Sequence, residues 1–263
     1  MAEVSTERRQ HVLEVTLDRP DKKNAITMPM FSALKGTFDK AAVDPEVRVV
    51  VLRGAGGNFS SGGDLTGGKG SAPSGSLAAM TLSIVRDEVG QAILALHRLP
   101  KPTIAMLEGV AAGAGANLAL ACDLVYAAED ARLCQIFVRR ALSLDCGGSW
   151  TLPRLVGLRK AKELAFFGDW VEAREASEIG LVTGCFAPQS LEQAVRERAD
   201  RLASQAPLAL ALIKQSLDTS FQLSFAQAID QEAAAQALCT SSDDFMEGVR
   251  AFLEGREARY TGR

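Results

Sequence analysis

Two glycine-rich stretches of the sequence could bind a developing negative charge through backbone N–H groups. The first, residues 109–123, reads GVAAGAGANLALACD and follows the short β-branched segment PTIAM. This order predicts a strand, a tight turn and a buried helix, with only hydrogen or methyl side chains at the turn. The free N–H groups of the first helical turn point at whatever approaches it. We therefore expect this helix start to bind a carbonyl oxygen that becomes negatively charged during a reaction.

The second stretch, residues 54–65, reads GAGGNFSSGGDL and directly follows a predicted strand. It contains neither GxGxxG nor GxxxxGK[ST], so a phosphate-cradling loop of those types is not supported. Two interpretations remain open. Either Gly62 or Gly63 exposes a backbone N–H group at close range, or the segment is an ordinary mobile loop.

The elements that must position these stretches alternate between strands and helices. Residues 11–17 alternate enough to be a strand, and Thr27 or a neighbouring residue is expected to cap a helix that continues to about Ala42. Residues 48–52 read RVVVL, a continuous apolar strand of the kind that is buried on both faces. Helical spacing resumes over residues 77–94, after a loop at residues 66–76 that is rich in glycine, serine and lysine. This alternation predicts a layered α/β protein.

The second half of the sequence ends in helices. Short strands are expected at residues 124–127, 132–134 and 181–185, with helices near 158–167 and 171–179. From Leu191 onward the pattern is helical nearly to the end. The composition changes near residues 187–205, which predicts an α/β core over residues 1–198 and a helical region over 199–263.

Composition argues against several classes of function. The 263 residues are 47% hydrophobic, enough for a full core, and the net charge of -3 comes with scattered basic residues, so nucleic-acid binding is not expected. No apolar signal region or membrane-spanning run is present in the sequence, which predicts a soluble cytoplasmic protein. The five cysteines lack metal-ligand spacing, so no metal site is expected.

Four motifs follow one another along the chain. They are LDRPDKKNAI at residues 17–26, FSSGGDL at 59–65, KPTIAMLEGVAAGAGANLALACD at 101–123 and LDCGGSWTLPRLVG at 144–157. Together they resemble the crotonase superfamily of acyl-CoA enzymes, the enoyl-CoA hydratases and isomerases. The resemblance implies a spiral core of ββα repeats with a C-terminal helical trimerisation region, in a homotrimer or a dimer of trimers. It also implies an acyl-CoA thioester as substrate, with coenzyme A as part of the substrate and no other cofactor.

The resemblance assigns the thioester oxygen to the backbone N–H groups of Gly63 and Ala114. Removing an α or γ proton from an acyl thioester gives an enolate, and one donor already aimed at its oxygen is worth roughly 10²- to 10³-fold in rate. Both residues fall in the glycine-rich stretches described above. The resemblance and the chemistry of the residues therefore point to the same site.

The resemblance also implies a coenzyme A site formed by Lys22, Lys23, Ser61 and Phe252. The two lysines follow the first predicted strand, where they would meet the phosphates or the nearby backbone of the ligand. A solvated turn is an equal alternative for either lysine alone. Phe252 matches an aromatic residue near the adenine end of a neighbouring subunit's ligand.

Two positions depart from the pattern of the family's hydratases. The glutamates that position and split water there match Asn117 and Phe137 here. An amide takes up no proton at neutral pH and a phenyl ring transfers none, so hydration by the usual mechanism is not expected. Asn117 is predicted to orient substrate or, alternatively, to be a locally bonded residue of the helix interior. Phe137 and Trp150 are predicted to form the pocket wall or the core.

Asp145 remains as the candidate acid/base. The resemblance places a catalytic aspartate here in dienoyl-CoA and epoxyphenylacetyl-CoA isomerases, and LDCGGSWTLPRLVG is most similar to the second group. Burial beside apolar residues such as Leu144 would raise the pKa of Asp145 and make it a better base. The alternative role is a helix N-cap, for which Ser149 competes. His11 and His97 are expected to be structural or exposed.

These observations predict an acyl-CoA isomerase in which Asp145 moves the proton. Gly63 and Ala114 would hold the enolate oxygen. Two alternatives stay open. One is a hydratase or thioester hydrolase in which Asp145 activates water, and the other is a non-catalytic acyl-CoA binder that has kept the fold.

Overall fold

A computed structural model describes residues 3–64 and 76–263 of the chain. Apart from Ser76, the predicted loop over residues 66–76 lies outside the described residues. The strands are β1 (Val4–Arg9), β2 (Val12–Leu17), β3 (Val49–Gly54), β4 (Thr103–Leu107), β5 (Val110–Ala112), β6 (Leu124–Ala128), β7 (Arg132–Cys134), β8 (Trp170–Glu172) and β9 (Gly184–Phe186). The helices are α1 (Met28–Val43), α2 (Leu77–Ser83), α3 (Gly90–His97), α4 (Ala114–Leu120), α5 (Gly148–Phe167), α6 (Ala173–Glu178), α7 (Pro188–Ala203), α8 (Pro207–Thr219), α9 (Phe225–Thr240) and α10 (Asp243–Glu254).

The larger sheet has the strand order β1-β2-β3-β4-β6-β9. Strand β1 is antiparallel to β2, and the remaining neighbours in this order are parallel. The prediction of a strand buried on both faces is confirmed, because Arg53 is the only residue of β3 that is not buried. Strand β4 is buried throughout. Parallel strands need crossover connections that cover the sheet, which accounts for the α/β class.

The smaller sheet has the strand order β5-β7-β8. Its strands β5 and β7 follow strands β4 and β6 of the larger sheet along the sequence. The chain runs from β4 through β5 into α4, and then from β6 through β7 toward α5, so a two-strand and helix unit repeats. Isolated bridges pair Ile26 with Gly63 and Ser60 with Ala111. The second bridge joins the FSSGGD loop to β5, the strand that leads to α4. The two glycine-rich stretches are therefore neighbours in space.

Several predicted elements are confirmed, and three differ. Thr27 caps α1, where its Oγ1 accepts a hydrogen bond from Met30 N at 3.4 Å. The polar sequence VSTERR does not predict β1, which is a mostly exposed edge strand. The predicted helix at residues 158–167 is confirmed as the second part of α5, which follows a break at Gly157 where φ is +74° and ψ is 159°, but the first part of α5, from Gly148, is not predicted. Val171 lies in β8 and not in a helix.

The helical stretch after the second glycine-rich segment contains a widened turn. A π-helix at Ile84–Val89 separates α2 from α3. A Cβ atom at Gly90, the next residue, would lie 2.9 Å from the carbonyl oxygen of Val85. The π segment brings this carbonyl close to the following turn, so only glycine fits at this position.

The last four helices differ in how they pack. Helix α7 buries Leu191, Val195 and Ala199 against the larger sheet, whereas α8 and α9 bury no side chain. The predicted boundary between residues 198 and 199 falls inside α7, and the division into a core and a helical region stays a prediction. No helix within the described ranges combines the length and the apolar character that crossing a membrane requires.

Two glycines inside helices should respond in opposite ways to alanine. At Gly36 in α1 a Cβ would meet nothing within 4 Å, so Gly36→Ala is expected to stabilise the fold by about 0.5 to 1 kcal/mol. Gly90→Ala is expected to destabilise it by about 1 to 3 kcal/mol because of the Val85 carbonyl. Urea unfolding of both variants measures this difference, and equal effects of one sign would contradict the widened turn.

Candidate active site

The start of α4 presents a backbone N–H group that no described atom accepts. Gly113 precedes the helix with φ +51° and donates its own N–H to the carbonyl of Cys134 at 2.9 Å. The helical bonds begin with Asn117 N, which donates to Gly113 O at 3.0 Å. Within the described residues the N–H of Ala114 has no acceptor. Orphan N–H groups at a helix start favour an anionic or strongly polarised oxygen.

The FSSGGD loop lies against this helix start. Ile26 N donates to Gly62 O at 2.8 Å, and Asp64 N donates to Ile26 O at 2.9 Å. In this part of the chain the N–H of Gly63, between those two residues, has no described acceptor. Gly62 has φ +103°, and a Cβ on it would lie 3.8 Å from Ala114 N. The two unbonded N–H groups therefore belong to backbone segments in direct contact.

Ser60 ties the loop to the helix. Its side chain is fully buried, and its Oγ donates to Asn24 O at 2.8 Å and accepts from Gly62 N at 3.1 Å. A Cβ at Gly115 would lie only 2.6 Å from Ser60 Oγ. Helix α4 approaches the loop this closely because residue 115 has no side chain.

Asn24 is a buried residue to which the sequence assigns no role. It has φ +54°, its Oδ1 accepts from Arg19 N at 2.8 Å, and its Nδ2 donates to Ala55 O at 2.8 Å and Asn58 O at 2.7 Å. The sequence gives one indication of this role, the position of Asn24 in a proline-containing turn, because asparagine tolerates the left-handed conformation. Asn24 fixes the turn that carries the two lysines.

The predicted coenzyme A residues fall into two places. Lys22 and Lys23 are exposed, and Ser61 binds both of their carbonyl groups, through Oγ to Lys22 at 3.1 Å and through N to Lys23 at 2.8 Å. Phe252 lies on α10 with 85% of its surface exposed. No hydrogen bond among the described residues connects Phe252 to the group of three.

Asp145 lies in the loop before α5, and two hydrogen bonds to its carbonyl oxygen hold its backbone. Its carbonyl oxygen accepts from Gly148 N at 2.9 Å and from Asn117 Nδ2 at 2.9 Å. Gly147 is the N-cap of α5 and no side chain caps this helix, so the capping alternative for Asp145 and for Ser149 is wrong.

The carboxyl group of Asp145 is mostly withdrawn from solvent. Its Oδ1 is buried and has no hydrogen-bond partner among the described residues. Burial raises the pKa of Asp145, and a hydrogen bond from the thiol of Cys146 opposes part of this rise. A buried carboxylate with a raised pKa and an unoccupied acceptor atom is suited to take up a proton.

Asn117 and Phe137 are the two residues predicted to stand where the family's hydratases have glutamates. The Asn117 side chain is fully buried, with Nδ2 on the Asp145 carbonyl and Oδ1 accepting from Gln135 Nε2 at 2.9 Å. Nothing in the sequence marks Gln135 as part of this site. The ring of Phe137 lies against Gly113, and its Cζ is 3.8 Å from where a Cβ on that glycine would be. An apolar ring therefore stands beside the start of α4.

Trp150 contacts charged and aromatic groups on α3 and α5. Its ring packs edge-on against His97 at 5.1 Å between centroids, and the guanidinium of Arg154 lies 3.9 Å from its centroid. Trp150, His97 and Gly147 line a cavity of about 740 Å³ between α3, α5 and α8. Trp150 thus forms a pocket wall next to the Asp145 loop.

Comparison with known proteins extends over nearly the whole chain. The enoyl-CoA hydratase/isomerase family model matches residues 7–263. The 1,2-epoxyphenylacetyl-CoA isomerase of Escherichia coli (strain K12) is 35% identical over 252 residues, which cover 96% of this chain and 95% of that protein. The 2,3-dehydroadipyl-CoA hydratase of the same strain is 32% identical over 263 residues, covering 100% of both. A crystal structure of an enoyl-CoA hydratase from Bacillus anthracis matches with a TM-score of 0.93 at 30% identity, over 99% of this chain and 100% of that one.

These matches confirm the predicted crotonase fold and the mixed α/β class. The relatives carry the names of both an isomerase and a hydratase, so they establish a family and not one reaction. The chain belongs to the enoyl-CoA hydratase/isomerase family of the crotonase superfamily.

Proposed function

We propose that this protein is an acyl-CoA isomerase in which Asp145 moves a proton between two carbons of the acyl group. The observation that supports this most is the buried carboxyl of Asp145, whose Oδ1 has no described donor and whose pKa is raised by desolvation. Asn117 and Phe137, which replace the hydratase glutamates, offer no proton-exchanging group near neutral pH. One carboxylate is sufficient for an isomerisation, because the proton that it removes is the proton that it returns.

The reaction can be written for a 3-enoyl thioester. The Asp145 carboxylate removes a proton from Cα, and the C–H electrons move into the carbonyl group. The N–H groups of Gly63 and Ala114 hold the resulting dienolate oxygen. The protonated carboxyl then gives the proton to Cγ, and the double bond moves from the β,γ to the α,β position. The carboxylate is regenerated and no co-reactant is consumed.

The proposed coenzyme A contacts use the exposed turn beside this site. Lys22 and Lys23 would bind phosphate groups or lie along the ligand, with Ser61 holding the backbone of both lysines against the FSSGGD loop. Phe252 would lie near the adenine end of a neighbouring subunit's ligand. Coenzyme A enters as part of the substrate, and the proposed reaction needs no other cofactor.

Hydration is the second candidate, because the hydratase relative matches this chain over its full length. Asp145 would then have to activate water, and a second group would have to protonate Cα. With an amide at Asn117 and a phenyl ring at Phe137, the two positions that serve this purpose in the family's hydratases offer no such group.

We also propose that the chain assembles as a homotrimer or a dimer of trimers. Large apolar side chains are exposed on and beside the last helices, among them Phe221 at 75%, Phe225 at 84% and Phe252 at 85% exposure. Exposed apolar surface of this extent is typical of protein interfaces. The proposed assembly would cover it.

Substitution of the proposed base tests the reaction. Asp145→Asn is expected to lower kcat on trans-3-hexenoyl-CoA by about 10²- to 10⁴-fold, the usual contribution of a positioned acid/base. The ultraviolet absorbance of the conjugated 2-enoyl thioester follows the reaction. Asp130→Asn, an exposed aspartate after β6, is the matched control.

Three outcomes would contradict this prediction. Full isomerase activity in Asp145→Asn would remove Asp145 as the base. Hydration of crotonyl-CoA that exceeds isomerisation and is lost in the same variant would favour a hydratase. Binding of acyl-CoA in calorimetry without turnover of either substrate would favour a non-catalytic binder.

The pH dependence of stability tests the burial of Asp145 independently of substrate. Because the folded-state pKa of Asp145 is raised, its ionised form costs stability at neutral pH. This cost disappears as the pH falls and the carboxyl takes up a proton. Asp145→Asn is therefore expected to melt at a higher temperature than wild type near pH 7. This difference in melting temperature is expected to disappear at about pH 4. Calorimetric scans that show no difference at neutral pH, or a gap that widens with acid, would contradict it.

The proposed assembly can be tested by light scattering at micromolar concentration. The wild-type mass is expected to be three or six times the 27.9 kDa of one chain. Phe221→Asp with Phe225→Asp is expected to shift the mass toward one chain, because a buried unpaired carboxylate is costly at an interface. The control is Glu192→Gln, a substitution of an exposed residue on α7. A monomeric wild type would refute the assembly.

A further inference from the structure

We propose that Asn117 and Gln135 are positioning residues for Asp145, an inference that rests on the proposed function of Asp145. They act through a buried chain of two hydrogen bonds. Gln135 Nε2 donates to Asn117 Oδ1 at 2.9 Å, and Asn117 Nδ2 donates to the carbonyl oxygen of Asp145 at 2.9 Å. Asn117 is 0% exposed and Gln135 is 4% exposed, so water does not compete for these bonds.

The chemistry of the three groups fixes the direction of the chain. A backbone carbonyl can only accept, so the Nδ2 atom of Asn117 must face Asp145. Its Oδ1 atom then faces Gln135 and must receive the Nε2 donor. Both amides therefore have one consistent orientation, and loss of the Gln135 donor removes one of the two hydrogen bonds that hold the Asn117 amide in it.

The Asp145 loop needs such a support because it has an unusual backbone. Cys146 has φ +49° and Gly147 has φ +78°, so two consecutive residues adopt positive φ values and the first of them is not glycine. The helix that follows has no side-chain cap. A conformation of this kind persists only where its surroundings determine it. The loop in turn sets the direction of the Asp145 side chain.

The amide of Asn117 fills the inside of this turn. A Cβ atom at Gly148 would lie 2.3 Å from Asn117 Nδ2. The second glycine of the LDCGGSW motif is thus required by the position of the Asn117 side chain. Asn117 is the side chain around which the turn between Asp145 and α5 is folded.

Two acceptor atoms distinguish these hydrogen bonds from a purely structural network. Gln135 Oε1 and Asp145 Oδ1 are both buried and have no partner among the described residues. A network selected for stability alone would satisfy both atoms, because an unpaired buried acceptor costs stability. The arrangement keeps the backbone of Asp145 fixed and its carboxyl oxygen available.

Substitutions at the two amides test this assignment. Gln135→Leu and Asn117→Leu are expected to lower kcat on trans-3-hexenoyl-CoA by about 10- to 100-fold, the effect of a reacting group displaced by a fraction of an ångström to one ångström. KM should change little, because the proposed coenzyme A contacts are intact. The acidic limb of the kcat profile should move to lower pH, since a released loop lets water reach the carboxyl of Asp145.

A matched control separates positioning from loss of stability. Thr103 is also fully buried and donates through Oγ1 to Asp123 Oδ2 at 2.9 Å, outside this site. Thr103→Val is expected to lower the melting temperature and to leave kcat, KM and the pH profile as in wild type. Asp145→Asn is measured alongside, and an undiminished rate in that variant would refute the proposed function itself.

Separate results would refute the positioning role of Asn117 and Gln135. If Asp145→Asn is inactive while both leucine variants keep the wild-type kcat and pH profile, the assignment is overturned. A fall in kcat with an unmoved profile also overturns it. If Asn117→Leu does not fold, Gln135→Leu decides by the same measurements, because it leaves the hydrogen bond between Asn117 and Asp145 in place.

Discussion

The site depends on the close approach of two backbone segments, which the absence of side chains at Gly62 and Gly115 allows. A Cβ at Gly62 would lie 2.9 Å from the carbonyl oxygen of Ala112, and one at Gly115 would lie 2.6 Å from Ser60 Oγ. The contact holds the FSSGGD loop against the start of α4, and the N–H groups of Gly63 and Ala114 have no acceptor among the described residues. The larger sheet positions both segments, because the FSSGGD loop follows β3, β5 follows β4, and the bridge between Ser60 and Ala111 joins them.

The sequence predicts those features of the site for which the residue types allow only one local structure. Runs of glycine and alanine predict the close backbone approach, and the apolar run RVVVL predicts a fully buried strand. Asn24 and Gln135 could not be found in this way, since each takes its role from partners far along the chain. The first part of α5, before the break at Gly157, was missed because Pro153 and the two glycines at its start argue against a helix. The strand that contains Val171 was missed because its pairing with β7 depends on tertiary contacts.

Buried polar groups around the site divide into two kinds. Asn24 and Ser60 make hydrogen bonds with backbone atoms on both sides, so they hold the turns in one conformation. Asp145 has a fixed backbone and a carboxyl oxygen for which the described residues provide no donor. The thiol of Cys146 and the surrounding burial act on its pKa in opposite directions, with burial the stronger. Structural support and the carboxyl of the proposed base are thus provided by different atoms.

The space around Asn117 also limits the evolutionary routes open to this sequence. Glutamate is one methylene longer than asparagine, and the amide already occupies the room that Gly148 leaves. A carboxylate there would also face the carbonyl oxygen of Asp145 and repel it. A single Asn117→Glu substitution would therefore disrupt the neighbouring loop before it supplied a second acid. A second carboxylate could enter at residue 117 only together with changes at several neighbouring positions, so this route to a two-acid site is closed to single substitutions.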